Sequence, residues 1–204
     1  MRARKKKHGA ERLAAVSEYF IERPVLEDNK KTYLEIGCGK GKFIIENAEK
    51  NPDINYIAVE KVSDVILLAA EKANNKQLMN IKFMICDAKG LNEIFPEHSV
   101  DRIYLNFSDP WPKAGHYKRR LTYKAFLDVY KQILKTDGAI FFKTDNIGLF
   151  EFSLESFTAD GWRLENVTYD LHNSEFAEEN IMKEYEKNFS EKGFKINRLE
   201  AYLK

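Results

Sequence analysis

The sequence predicts a single α/β domain, a mostly parallel sheet with helices on both faces, and three observations carry that expectation. Short β-branched or aromatic runs alternate with longer amphipathic stretches, as in successive βαβ units. The first of these runs ends in a glycine-rich turn that opens directly into a helical stretch. The 204 residues suit one domain of this kind and leave no room for a second.

Taken in order, residues 1–31 read as a basic N-terminal arm and helix, and residues 32–204 as the domain. Strands are expected over 32–36, 56–59, 82–85, 100–106 and 139–144, each bounded by polar or glycine turns. A helix opens behind the first strand over 43–48. The clearest helix spans 123–134, where Phe126, Leu127, Tyr130, Ile133 and Leu134 recur at helical spacing and Thr136-Asp137-Gly138 stops it. Strands over 162–169 and 194–202, the last closing the sheet, flank a polar helical segment at 181–189 and bring the strands to seven.

Composition narrows the function classes. With 44% hydrophobic and 13% aromatic residues the chain can build a core, yet no stretch approaches the ~20 apolar residues of a membrane span. No apolar segment follows the basic N-terminus as a secretion signal requires, so a cytoplasmic protein without membrane contact is expected. Cys38 and Cys86 fall in different turns, with no CxxC pair and no histidine cluster, which predicts reduced structural thiols and no metal site. The net charge of +1 argues against a general polyanion binder, but the charges are segregated. Arg2, Arg4, Lys5, Lys6, Lys7 and Arg12 face Glu11 alone, and Lys113, Lys118, Arg119, Arg120 and Lys124 fall in a stretch without acids. Glu175, Glu178, Glu179, Glu184, Glu186 and Glu191 gather near the C-terminus. Both a monomer and a homodimer are compatible with the sequence.

The first strand runs into Glu35-Ile36-Gly37-Cys38-Gly39-Lys40-Gly41. Glycines at such a turn allow positive φ and close approach of a ligand, and the helix behind it offers free N–H groups. A dinucleotide fingerprint needs a third glycine where Lys42 stands, so the pattern is G-x-G-x-G and the dinucleotide reading weakens. Glu60 ends the second strand, about twenty residues past the glycines, where related sites place a carboxylate on ribose hydroxyls. Asp87 ends the third strand. Each acid alone reads more readily as a solvated strand end; three strand ends with matching chemistry favour a ligand.

The fourth strand leads into Asn106-Phe107-Ser108-Asp109-Pro110-Trp111-Pro112-Lys113 and then Ala114-Gly115-His116-Tyr117-Lys118-Arg119-Arg120-Leu121-Thr122. This block resembles the hallmark of the bacterial tRNA (guanine-N7)-methyltransferases, and the resemblance extends over nearly the whole chain. It implies a Rossmann-like class I S-adenosylmethionine methyltransferase fold with a mostly parallel seven-stranded sheet. It also implies that Glu35, Gly37, Gly39, Glu60, Asp87 and Asp109 contact S-adenosylmethionine, which leaves as S-adenosylhomocysteine, with Asp109 at the reacting centre. Lys113, Asp145 and the stretch Lys183-Glu184-Tyr185-Glu186 would contact the target nucleotide, a guanosine in the tRNA variable loop. His116, Lys118, Arg119 and Arg120 would contact the RNA. Lys183 stands where the family shows a threonine, and Gly115 where it shows an arginine.

The chemistry of such a transfer is undemanding. The methyl group sits on a sulfonium, so displacement mainly needs positioning. Guanine N7 carries a lone pair and no proton, which casts Asp109 as an orienting group, Asp145 as an offset for the charge developing on the purine, and Lys113 as a donor to a phosphate or to O6. In Asp109-Pro110-Trp111 the proline stiffens the turn and the indole offers a stacking face for a flipped base. A buried turn with a core tryptophan is the plainer reading of the same residues, and a solvated charged face that of the basic runs. Three functions compete: an amino-methyltransferase acting on N6 of adenine or N2 of guanine, because Asp-Pro-Trp partly mimics the Asn/Asp-Pro-Pro-aromatic motif of those enzymes, although the second proline is missing here; a non-catalytic RNA-binding module; and an NAD-dependent oxidoreductase, for which the chain lacks both the third glycine and a Tyr-x-x-x-Lys set.

Overall fold

The structure is a computed structural model that describes residues 9–27, 29–178, 180, 181, 186 and 194–203. Thirteen elements of regular α or β structure follow one another among the described residues: α1 (Gly9–Ala15), β1 (Lys31–Ile36), α2 (Lys42–Lys50), β2 (Ile54–Glu60), α3 (Ser63–Asn75), β3 (Ile81–Ile85), α4 (Leu91–Ile94), β4 (Val100–Asn106), α5 (Lys124–Ile133), β5 (Leu134–Thr144), α6 (Ile147–Ala159), β6 (Arg163–Thr168) and β7 (Asn197–Tyr202). The strands form one seven-stranded sheet in the order β3-β2-β1-β4-β5-β7-β6. The first five pair in parallel, and β7 runs antiparallel to both β5 and β6. The final strand is thus inserted between β5 and β6, and the edge it was expected to close belongs to β6.

Strand alternation builds two cores, one on each face. Leu34, Ile36, Ile57, Val59, Ile103, Leu105, Ile140 and Phe142 turn to the face covered by α4, α5 and α6, where they meet Phe126, Tyr130, Phe150 and Phe157. Tyr33, Tyr56, Ala58, Phe83 and Tyr104 turn to the other face and meet Phe43, Ile44, Ile66 and Ala70 of α2 and α3. Val16 and Tyr19 belong to this second core, so the chain just beyond α1 is packed on the domain. Arg12 fastens α1 itself, donating from Nε and Nη2 to the two carboxylate oxygens of Glu71 at 2.6 and 2.5 Å.

The helix expected over 123–134 ends one residue earlier, and the strand begins at once. The cause lies in the partner chain segment. Ser99 and His98 donate their backbone N–H groups to the carbonyls of Ile133 and Gln132, and Leu134 is already paired with Val100. The register then jumps to Arg102 opposite Ala139, so Thr136-Asp137-Gly138 forms an irregular strand entry instead of a helix stop. Gly138 is required there: a Cβ would stand 2.9 Å from both Leu134 Cδ2 and the Lys135 carbonyl oxygen. The helical segment expected at 181–189 lies outside the described residues apart from Ile181 and Glu186.

Because β1 connects towards β2 and β4 lies on its other side, the turns leaving β1 and β4 diverge at their C-terminal ends. Open α/β sheets bind ligands at this crevice.

Candidate functional site

A cavity of about 420 Å³ occupies the crevice. Its walls bring together Gly37 after β1, Glu60 at the end of β2, Asp87 after β3 and Asp109 after β4, four of the residues expected from the sequence.

The glycine turn is shaped for a ligand on one side and for packing on the other. Gly37, Gly39 and Gly41 have φ of 75°, 58° and 75°, which favour glycine. A Cβ on Gly41 would lie 2.5 Å from Ala69 Cβ, so the third glycine lets α3 pack on the turn. Over Gly37 and Gly39 a Cβ would meet nothing within 4 Å. The turn is pinned to the end of β2, with the N–H groups of Gly37 and Cys38 both donating to the Val59 carbonyl.

Glu60 has a second task that its spacing did not reveal. Its carboxylate accepts from Gly39 N at 3.3 Å, Lys61 N at 2.9 Å and Val62 N at 3.1 Å, bridging the glycine turn to the start of α3. Asp87 accepts from Lys89 N at 3.0 Å and caps the 3-10 turn Ala88–Gly90 while remaining exposed. Cys86, expected to be structural, forms part of the cavity wall; burial and then the neighbouring Asp87 charge push its thiol up and keep it protonated. Glu35 is placed differently from the expectation. It is fully buried on the α2 side of the sheet, accepts from Asn106 Nδ2 at 3.2 Å and does not line the cavity. The alternation that sends Ile36 to one face sends its neighbour to the other. Gly39 also stands back from the cavity wall.

The loop leaving β4 is held in an uncommon conformation. Phe107 and Trp111 have positive φ, 54° and 42°, a conformation that non-glycine residues keep only when their surroundings enforce it. Arg120 supplies part of that enforcement: its Nε donates to the Pro110 carbonyl at 2.9 Å and its Nη2 to the Trp111 carbonyl at 3.3 Å, and its guanidinium lies 4.4 Å from the Phe152 ring. Arg120 thus points into the protein. Arg119 is exposed, sits with its guanidinium 4.9 Å from the Trp111 ring and lines the cavity with that indole. His116 meets the same indole edge-on at 5.8 Å. Lys113 and Lys118 are exposed at either end of the 3-10 turn Ala114–Arg119. Trp111, expected to offer a stacking face, with a core tryptophan as the plainer alternative, is half-buried in the cavity wall.

Asp145 follows β5, half-buried and next to Asn146, which caps α6 by accepting from Leu149 N at 2.8 Å. Glu186, expected on the target nucleotide, is fully buried and turned inward. It accepts from Lys143 Nζ and Asn180 Nδ2, both at 2.6 Å, and lies 3.4 Å from His172 Nε2. A buried ammonium demands such a partner, and Lys143 in the apolar run Ala139-Ile140-Phe141-Phe142 is the signal that would have foretold it. Lys183, Glu184 and Tyr185 lie outside the described residues. Among the described residues no three of His, Cys, Asp and Glu gather as a metal cluster, and no helix is long and apolar enough to cross a membrane.

The cavity suits a nucleoside-bearing ligand. Two strand-end carboxylates, an open glycine turn and the buried hydroxyl of Ser108, which has no hydrogen-bond partner among the described residues, line or adjoin one space large enough for a small cofactor. The fold is the Rossmann-like one of S-adenosylmethionine methyltransferases, shared with precorrin-6y C5,15-methyltransferase from Geobacter metallireducens GS-15 at a TM-score of 0.59 and 14% identity, over 100% of this chain and 94% of that one. A family model described as a putative methyltransferase matches residues 29–199. The tRNA (guanine-N(7)-)-methyltransferase of Brevibacillus brevis is 48% identical over 95% of this chain and 94% of its own length. That of Macrococcus caseolyticus is 53% identical over 83% and 80%. The chain belongs to the tRNA (guanine-N7-)-methyltransferase family.

Proposed function

We propose that the protein transfers the methyl group of S-adenosylmethionine to N7 of a guanosine in the variable loop of tRNA. One observation supports this reading above the others: the turn that would hold the cofactor and the loop carrying Asp109 and Trp111 wall a single cavity, together with Arg119 from the basic 3-10 turn. The cofactor, when bound, supplies a methyl group on a positively charged sulfur.

Gly37 and Gly39 leave room for that cofactor, Glu60 accepts from its ribose hydroxyls and Asp87 from its adenine amine. Glu35 acts at one remove, through Asn106 at the end of β4. Asp109 orients the guanine edge, Trp111 offers a stacking face, and Asp145 with Lys113 completes the nucleotide site. No residue has to take a proton, because N7 has none to give. His116, Lys118 and Arg119 face the RNA, and Arg120 fixes the loop on which Asp109 stands. Lys143 and Asn180 hold Glu186 inward, and Lys183, Glu184 and Tyr185 are proposed as further contacts to the target nucleotide.

Incubation with labelled S-adenosylmethionine and tRNA from a strain lacking the modification tests the reading. The expected nucleoside is 7-methylguanosine, whose fixed positive charge labilises the ring, so borohydride and aniline should cleave the chain in the variable loop. Recovery of N6-methyladenosine or N2-methylguanosine would establish an amino-methyltransferase instead.

A further inference from the structure

Ser108 stands between Phe107 and Asp109 and lines the same cavity as Gly37 and Asp109. Its hydroxyl oxygen is buried and finds no hydrogen-bond partner among the described residues. A hydroxyl taken out of water without a partner is a net loss to the folded state, and such atoms are uncommon enough in folded proteins that each asks for a reason. The loop around it is not slack. Phe107 N donates to the Lys143 carbonyl at 2.9 Å, and Arg120 ties down the carbonyls of Pro110 and Trp111. The hydroxyl is therefore held in a fixed place beside a cavity, with its hydrogen-bonding capacity unspent.

The order of the strands tells which part of a ligand would meet it. β3, β2, β1 and β4 lie side by side, and Asp87, Glu60, Gly37 and Ser108 stand at or just beyond their respective C-terminal ends. Neighbouring strands are about 4.8 Å apart, so these four positions form a row three spacings long. On the proposed function, adenine lies at Asp87 and ribose at Glu60. The cofactor then reaches Gly37 and Ser108 with its remaining end, the α-amino acid. That end carries an ammonium and a carboxylate, and a serine hydroxyl can accept from the one or donate to the other.

We infer that the Ser108 hydroxyl is a cofactor contact, hydrogen-bonding the charged amino-acid end of S-adenosylmethionine. The inference rests on the proposed function and goes beyond it by assigning a binding residue. A hydroxyl that serves only the bound ligand contributes nothing favourable to the free protein, so its removal should weaken binding without lowering stability.

The test uses Ser108→Ala and two ligands, measured by calorimetry on the full chain. S-adenosylhomocysteine has the amino-acid end; 5′-methylthioadenosine has the same nucleoside and thioether sulfur without it. Loss of one hydrogen bond predicts about a tenfold weaker dissociation constant for S-adenosylhomocysteine. Affinity for methylthioadenosine should stay as in the unsubstituted chain, the melting temperature of the free protein should be equal or higher, and Ser108→Thr, which keeps the hydroxyl, should recover part of the lost affinity. Equal affinities of Ser108→Ala and the unsubstituted chain for S-adenosylhomocysteine would overturn the inference while leaving the proposed function standing. So would equal weakening of both ligands, or a lowered melting temperature, either of which would make the hydroxyl part of the fold. An unsubstituted chain that binds neither ligand would overturn the proposed function and the inference together.

Discussion

Glu60 shows how one side chain serves the cofactor and the fold at once. Its three backbone N–H partners mean that removing the carboxylate strips acceptors from the glycine turn and from the start of α3, as well as from any ribose. Glu60→Gln keeps an acceptor oxygen and should weaken S-adenosylhomocysteine binding by about 1–3 kcal/mol with little change in melting temperature. Glu60→Ala should weaken binding as much and also lower the melting temperature. Calorimetry and thermal melts read the two effects separately, and a Glu60→Ala chain that melts lower yet binds normally would make the residue a brace alone. The strand-end position of Glu60 was legible because the turn after β2 has a fixed relation to the glycines. The orientations of Glu35 and Glu186 were not legible for a different reason. A motif names a residue without saying which way its side chain turns, and here alternation sends Glu35 to the α2 face while Lys143 draws Glu186 inward. Ser108 and Asn106 carried no signal at all, since a small polar residue beside a motif looks like any turn residue.

Among the elements, strands β1 to β4 and helix α5 were readable because their apolar residues keep a period of two or of 3.6. Helix α6 gave no such pattern: Ile147, Leu149, Phe150, Phe152, Leu154 and Phe157 spread around its circumference. It was legible only as one more stretch in the alternation. What holds α6 to α5 is partly ionic. Asp160, just past α6 and nearly buried, accepts from Trp162 Nε1 at 3.0 Å and pairs with Lys131 and Lys124 at 2.7 and 3.3 Å. Burial pushes its carboxyl up, but the hydrogen bonds from Lys131, Trp162 and Lys124 outweigh that and leave it below the usual carboxylate range. A carboxyl depressed in the folded state stabilises above its unfolded pKa of about 3.9, and the contribution fades as pH falls through the lower folded value. Asp160→Asn should therefore cost about 1–2 kcal/mol near neutral pH, discounted for the exposure of Lys124 and Lys131. The gap in stability between the two chains should narrow below about pH 4. Denaturant titrations at pH 7 and pH 3.5 measure it; a gap that stays constant would mean that the charge of Asp160 adds nothing.

For the whole molecule, the near-zero net charge conceals a division of labour that the sequence displayed and the structure sharpens. The basic stretch after β4 puts Arg119 in the cavity wall and leaves Lys113 and Lys118 exposed beside it in the chain, and α1, which follows the basic arm, is fixed to α3 by Arg12 and Glu71. Residues 1–8 themselves lie outside the described residues. Cations that neutralise phosphates release counterions, so each such contact adds about one to the slope of log affinity against log salt. Exposure then separates two neighbouring arginines that the sequence could not tell apart. Arg119→Ala should weaken tRNA binding and reduce the slope by about one, because its guanidinium stands free of backbone ties at the rim. Arg120→Ala should leave the slope unchanged and lower turnover instead, because its donors are spent on the carbonyls of Pro110 and Trp111. Deleting residues 1–7, which removes Arg2, Arg4, Lys5, Lys6 and Lys7, should flatten the slope further than either substitution. Filter binding of tRNA across a salt series measures all three chains. A deletion without effect on affinity or slope would return the arm to a solvated tail. An Arg120→Ala chain whose slope falls as far as that of Arg119→Ala would show that Arg120 leaves the loop to meet phosphate, and would remove its role as the clamp that sets Asp109.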